Sequence, residues 1–272
     1  MTAQPFGIGA SQLSGWLYLI IGPVYWQTKD STLALQVGIA ASFLGGFIEI
    51  IGGIAGRWIV TYVPNAALMG NMASAGLVWL SVVGIAMVFD KPVYGLLPML
   101  IIIMDYLGKA DKKFQKLPSG LIAIVVGTVI AWGGGFLTLD NFRLSFANIG
   151  FYPPKPDVFD IVAGFKGLIP FLPVILPLQI NNFLSTLQGL EAAKVAGDAY
   201  PERRSMIMDG VSTLTGALFG SPFPTSVYFG HPGWKAIDAR AGFSVVNAVL
   251  YLVLCCTGLT SVLMAAIPTE AV

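Results

Sequence analysis

Leu218-Phe-Gly-Ser-Pro-Phe-Pro-Thr-Ser-Val-Tyr-Phe-Gly-His-Pro-Gly-Trp234 is the stretch from which the rest of the chain is read. Long apolar runs flank it, which places it at membrane depth. It holds three prolines and three glycines. Proline removes a backbone donor and clashes with the turn before it, so an unbroken spanning helix does not fit. At bilayer depth a helix breaks only where protein buries the break or where it lines a wet cavity. Broken helices of this kind build midplane binding sites. The plainer reading is a loop between two ordinary spans.

The composition agrees with membrane depth. Of 272 residues, 56% are hydrophobic and only 11% charged, against roughly 25% charged in a soluble domain. The class is an all-α polytopic membrane protein in a lipid bilayer. A net charge of +1 without a basic patch counts against a nucleic-acid partner. Cys255 and Cys256 are adjacent in an apolar run and have no metal-ligand spacing. One histidine and no Cys/His cluster count against an enzyme, and no cofactor or metal is expected. The N-terminus lacks the pattern of a cleavable signal peptide.

A span needs about 20 apolar residues. Nine candidate segments run near 6–27, 33–54, 64–89, 93–107, 117–138, 167–192, 206–220, 224–238 and 242–267. Arg57, Lys109, Lys112, Lys113, Lys116, Lys194, Arg203, Arg204, Lys235 and Arg240 then fall on one side, ten of the fifteen Lys and Arg. That side is expected to be cytoplasmic. Residues 139–166 are proline- and phenylalanine-rich and read as an interfacial linker.

The first segment has the texture of the eighth. Pro5-Phe-Gly-Ile-Gly-Ala-Ser-Gln-Leu-Ser-Gly-Trp16 is glycine-rich and polar, then turns apolar. Two interrupted spans at corresponding places in two halves point to a site between inverted repeats. Each would be a short extended strand leading into a half-helix, whose free N–H groups bind polar ligand edges.

Five segments then carry a resemblance. They are Asn182-Phe-Leu-Ser-Thr-Leu-Gln-Gly-Leu190, Ala193-Lys-Val-Ala-Gly-Asp198, Arg203-Arg-Ser-Met-Ile-Met-Asp-Gly-Val-Ser-Thr-Leu-Thr-Gly-Ala-Leu-Phe-Gly-Ser221, and Pro224-Thr-Ser226 with Arg240-Ala-Gly242. Val63-Pro-Asn-Ala-Ala-Leu68 and Leu117-Pro-Ser-Gly-Leu-Ile-Ala-Ile-Val-Val-Gly-Thr128 add to them. The chain resembles the nucleobase–ascorbate transporters, or xanthine/uracil permeases, and is nearest their adenine/guanine/hypoxanthine branch. The resemblance implies a fold of two inverted seven-span repeats, with strands in spans three and ten and substrate between them beside span eight. On that alignment the chain covers spans three to eleven, as expected of a fragment. Residues 1–62 and 167–272 would belong to the core domain and 63–138 to the gate.

The resemblance also implies a site. The family's span-eight carboxylate falls on Asn182, and its span-ten carboxylate falls near Tyr228 and Phe229. None of the three is acidic, which counts against proton coupling through these positions. The expected substrate-binding residues are Ser11, Gln12, Gln179, Asn181, Asn182, Thr225, Ser226, Tyr228 and Phe229. Amides offer donors and an acceptor to a base edge, and the two aromatic rings could stack on it. Buried amides in spanning helices also serve only to hold helices together. An acid inside the membrane marks function by default, so Glu49 in Phe47-Ile-Glu-Ile-Ile51 is the replacement proton carrier, with His231 second. Asp209 reads as a cap at the start of the seventh segment.

The expected function is a secondary-active permease for nucleobases, in the cell membrane, coupled to a proton or sodium and able to form a homodimer. Two alternatives stand beside it. One is a transporter of the same fold for another solute such as a small organic anion, which basic charge between the broken spans would favour; none is present there. The other is a non-transporting fragment.

Overall fold

The computed structural model describes residues 1–62, 64, 66, 70, 73, 77, 81–107 and 119–268; the side chains of residues 10, 11, 55–60 and 106 lie outside that set. Part of the expected third span, the 109–116 lysine cluster, residues 63, 65, 67 and 68, and residues 117 and 118 at the opening of the fifth span therefore lie outside the described residues. The regular structure among the described residues is helical apart from one two-stranded sheet.

The elements follow the expected order. Strand β1, Phe6–Gly7, leads into α1, Ala10–Trp16, a π-helical turn at Leu17–Ile21, and α2, Gly22–Thr28. Pro23 supplies no N–H to the ladder, and Gly22 N bonds back to Leu17 O across the wider turn. Helix α3 is the long one, Ser31–Tyr62. Then come α4, Val83–Asp90, α5, Pro92–Leu107, α6, Ser119–Gly133, and α7, Leu139–Ser145. Helix α8, Val158–Leu168, joins α9, Leu172–Val195, through a 3₁₀ turn at Ile169–Phe171 that holds Pro170, with Pro173 in the first turn of α9. Helix α10, Glu202–Leu218, precedes β2, Ser226–Val227, and α11, His231–Ala236. The last two helices are α12, Gly242–Thr257, and α13, Leu259–Ala266.

Among the described residues, Ser31–Ile54 and Val158–Val195 are long and apolar enough to cross a membrane, and α12 with α13 passes the same test as a pair bent by 100°. The shorter apolar helices are Pro92–Asp105 and Ser119–Gly133. Large apolar side chains on α12, such as Val249, Leu250 and Leu252, are exposed, as a lipid-facing helix requires.

The chain divides into two compact units. The first takes residues 1–76 and 154–247. Its core packs Trp16, Ile20 and Val24 against Val37 and Ala41 of α3 and Ile175 of α9. A second cluster joins Phe183 and Leu187 of α9 to Met206 of α10 and Val227 of β2. Residues 158–166 fall in the stretch expected to be a linker and instead form the body of α8. Asp157 caps that helix by accepting from Phe159 N at 3.0 Å and Asp160 N at 3.2 Å. Asp160 accepts from Gln36 Nε2 of α3 at 2.8 Å. The charges that resembled a loop are a cap and an interhelical bond.

The second unit takes residues 77–153 and 248–272. Tyr94 packs on Phe136, and Trp132 donates from Nε1 to Ala266 O at 3.0 Å. Gly258, between α12 and α13, has φ +72°, and a Cβ there would lie 2.1 Å from Asn148 O. Gly258→Ala is expected to destabilise the protein by about 1–3 kcal/mol through backbone strain and this overlap. The melting temperature in detergent reads it.

Candidate functional site

The site is built on the pairing of the two interrupted segments. Strand β1 pairs antiparallel with β2, Phe6 opposite Val227 and Gly7 opposite Ser226. Tyr228 N extends the ladder by donating to Pro5 O at 3.0 Å. Pro222 and Pro224 lack N–H groups, so the chain leading into β2 cannot continue a helix. Gln4 anchors the start of β1 by donating from Nε2 to Gly189 O of α9 at 2.7 Å.

Three helices close around this ribbon, and glycines on α3 set the distances. A Cβ on Gly210 of α10 would stand 2.7 Å from Gly46 O of α3, and one on Gly46 would stand 2.9 Å from Gly210 O. The two backbones can meet because neither residue has a side chain. Next to Gly46, Gly45 faces α9: a Cβ there would overlap the Gln179 amide, at 1.7 Å from Nε2. Helix α3 thus rests on α10 through one glycine and receives a polar side chain of α9 over the other.

The side chains so gathered form one polar cluster. Asn182 of α9 donates from Nδ2 to Glu49 Oε1 of α3 and, at 2.7 Å, to Thr225 O just before β2. Thr213 of α10 is 2.8 Å from Glu49 Oε2 through Oγ1 and 2.9 Å from Thr225 Oγ1. Thr213 Oγ1 also accepts from Thr225 N at 3.0 Å. Thr225 Oγ1 lies 2.9 Å from Asp209 Oδ1, and Thr186 of α9 donates to Asp209 Oδ2. Glu49 is 1% exposed, and Asn182 and Asp209 are 0% exposed. Neither acid takes part in an ion pair among the described residues.

Three amide atoms at this cluster have no partner: Gln179 Nε2, Gln179 Oε1 and Asn182 Oδ1. Both side chains are fully buried. An unpaired buried polar atom costs about 1–3 kcal/mol, and these three are open to a partner outside the described residues.

The expected residues distribute unevenly. Gln179, Asn182, Thr225 and Glu49 come together here. Gln12 joins at the edge, donating to Ser185 Oγ at 3.4 Å, and Ser185 in turn donates to Asn181 O at 2.9 Å. Ser226 is buried in β2, with its Oγ near Gly9. Ser11 is in α1 with its side chain outside the described residues. Phe229 lies against Gly189, and Tyr228 is exposed with its hydroxyl 3.4 Å from Trp234 Nε1. Neither ring faces the unpaired amides through a contact in the structure.

His231 stands apart. It is fully buried at the start of α11, with Nε2 3.2 Å from Asp198 Oδ2 and its ring edge-on to Tyr200. Asp198 also accepts from Thr2 N at 3.0 Å and pairs with Lys235 Nζ at 3.0 Å, while Tyr200 donates to Thr2 O. The Thr2 N–H, then Lys235, hold the Asp198 carboxyl below the usual carboxylate range, at about 2. The pKa is depressed, so the stabilisation is complete above the ordinary carboxylate pKa and is lost as pH falls through about 2. Burial, then Asp198, push the Tyr200 phenol up. These bonds tie residue 2 to the α9–α10 loop just ahead of β1. Asp198→Ala is expected to raise amide exchange in β1 about tenfold at neutral pH, read by hydrogen–deuterium exchange of residues 2–7.

Two members of the cluster were missed or misread in the sequence. Asp209 is not a cap: α10 begins at Glu202, after Pro201, which places Asp209 in its middle. Thr213 was not singled out, yet it lies four residues on from Asp209, hence on the same face. That spacing was the available signal.

Paired broken segments over a buried polar cluster, in a chain of apolar helices, agree with the fold of a solved transporter domain. The chain is similar in structure to a solved transmembrane domain, that of a cyanobacterium bicarbonate transporter, BicA, with a TM-score of 0.65 at 17% identity over 96% of this chain and 70% of that one. At that identity the likeness is one of fold. No family model matches the chain and no curated protein matches it, so the nucleobase-permease resemblance extends as far as the transporter fold.

Proposed function

We propose that the chain forms the solute-binding part of a secondary-active transporter, multi-pass in the cell membrane, which moves nucleobases by alternating access. The observation that carries this reading is the set of three unpaired amide atoms, one donor and two acceptors, buried beside the β1–β2 pair. The lactam edge of a purine or pyrimidine base offers an N–H next to a C=O. It can pair with both ends of the Gln179 amide, while a second base N–H meets Asn182 Oδ1. Gln12 and Thr225 border the cluster, while Ser226, Phe229, Tyr228, Asn181 and Ser11 belong to the proposed set on the sequence resemblance alone. Coupling to a cation runs through Glu49, with His231 at the opposite end of the ribbon. Pairing of two copies in the membrane belongs to the same reading.

The structural likeness to a bicarbonate transporter favours a second reading, a small anion such as bicarbonate. Against it, the cluster holds two carboxylates and no ion-paired base, and a buried anion beside them would be repelled. Uptake of radiolabelled hypoxanthine, xanthine, uracil and bicarbonate decides. The assay is made in cells lacking their own permeases, with Gln179→Ala alongside. Base uptake lost in Gln179→Ala is the expected result. Bicarbonate uptake with no base uptake would move the assignment to the anion.

A further inference from the structure

The path from Glu49 to Asp209 contains three oxygen–oxygen contacts: Glu49 Oε2 to Thr213 Oγ1 at 2.8 Å, Thr213 Oγ1 to Thr225 Oγ1 at 2.9 Å, and Thr225 Oγ1 to Asp209 Oδ1 at 2.9 Å. All three are at hydrogen-bond distance, and each needs one hydrogen. The two threonine hydroxyls supply one each. If both acids are ionised, two hydrogens serve three contacts, and two oxygen lone pairs face each other between two buried carboxylates. One added proton completes the set.

From this count we infer that Glu49 and Asp209 together hold one proton and pass it between them through Thr213 and Thr225. With the proton on Glu49 Oε2, Glu49 donates to Thr213, Thr213 to Thr225, and Thr225 to Asp209. When Glu49 gives its proton to Thr213, Thr213 releases its own to Thr225 and Thr225 releases its own to Asp209 Oδ1. Each hydroxyl ends with one hydrogen, turned the other way, and the carboxylate charge has moved from Asp209 to Glu49. In both states Thr213 Oγ1 still accepts from Thr225 N.

Three further observations point to a proton as the ligand. Two buried carboxylates without a basic partner are costly as a doubly charged pair. The groups facing them are Asn182 and Thr186 from α9, Thr213 from α10, and Thr225 ahead of β2. Among the described residues, His231 and Lys235 pair with Asp198 instead. The hydroxyls touch each other and the acids directly, which leaves no gap for a metal ion between them. Independently of the acids, the fully buried Asn182 side chain is half-used. Its Nδ2 bonds Glu49 while its Oδ1 has no partner. Asn182 therefore connects the proposed solute position to the proton pair. The link to transport rests on the proposed function; the shared proton does not.

Infrared difference spectroscopy of the purified full chain at neutral pH tests the inference without any solute. Wild type is expected to show the carbonyl stretch of a protonated carboxylic acid, shifted on exchange into D2O. Glu49→Gln and Asp209→Asn should each abolish it, because the new amide N–H supplies the third hydrogen. Thr225→Ser keeps the hydroxyl and should keep the band, which separates loss of the proton from misfolding. A wild type without the band, a band that appears only when sodium is removed, or a band that survives either amide substitution overturns the inference. Failure of base uptake would sink the proposed substrate and leave this result standing.

Discussion

Asn182→Ala is expected to lower base uptake by about a hundredfold. The reasoning starts from what Asn182 holds. Its Nδ2 satisfies Glu49 Oε1 and Thr225 O, and its Oδ1 is free for a ligand. Removing the amide deletes a hydrogen bond to an acidic group, of the kind that contributes about 1.5–3 kcal/mol, at a place where both the solute and the proton pair depend on it. A factor of one hundred corresponds to about 2.7 kcal/mol. Asn182→Asp is a sharper control. It restores an acid where the resembled family has one, but it sets that acid against Glu49 and removes the donor to Oε1. Loss of uptake in Asn182→Asp as well is expected. Wild-type uptake in it would mean that Glu49 does not need the Asn182 amide.

Gly210→Leu has the second large effect, and it acts through helix spacing. Even a Cβ at 210 would stand 2.7 Å from both Gly46 O and Ile50 Cγ1, and 3.0 Å from Ile50 N. Two of those atoms are backbone and cannot rotate away, so α3 and α10 must part. Overpacking of this kind costs about 1–3 kcal/mol. Here it also stretches the Thr213–Glu49 contact that joins the same two helices. The melting temperature in detergent is expected to fall by several degrees, and base uptake is lost with it. Gly84→Ala is the matched control, because nothing lies within 4 Å of a Cβ at that position. Equal melting temperatures for the two variants would refute the claim that the Gly46–Gly210 contact sets the geometry.

Local chemistry was legible in the sequence, and long-range pairing was not. The prolines around 222–224 and the glycines at 7 and 9 announced extended backbone, and that is where β1 and β2 lie. Glu49 stood out as an acid in an otherwise apolar helix. The register that puts Gly7 opposite Ser226 could not be read, because two-residue strands carry no alternation pattern. The start of α10 misled for a related reason. Arg203, Arg204 and Asp209 dilute its apolar signal, so its start was placed near 206 and Asp209 became a cap. Gln179 was expected at the site as an amide. That its amide fits against α3 depends on Gly45, more than a hundred residues away in the chain, and no local pattern records such a contact. Asp157 and Asp160 suggested a linker because charge in a membrane sequence usually marks a boundary. They instead cap α8 and bind Gln36.

The central claim is that the two interrupted segments meet side by side. Partners across an antiparallel ladder have Cα atoms about 4.5–5.5 Å apart, within disulfide range. Gly7→Cys with Ser226→Cys, in a full chain whose Cys255 and Cys256 are replaced by serine, tests it directly. Oxidation should give an intramolecular cross-link that blocks base uptake, and reduction should restore both the free thiols and the uptake. Two free thiols after oxidation, in a protein that still transports, would contradict it.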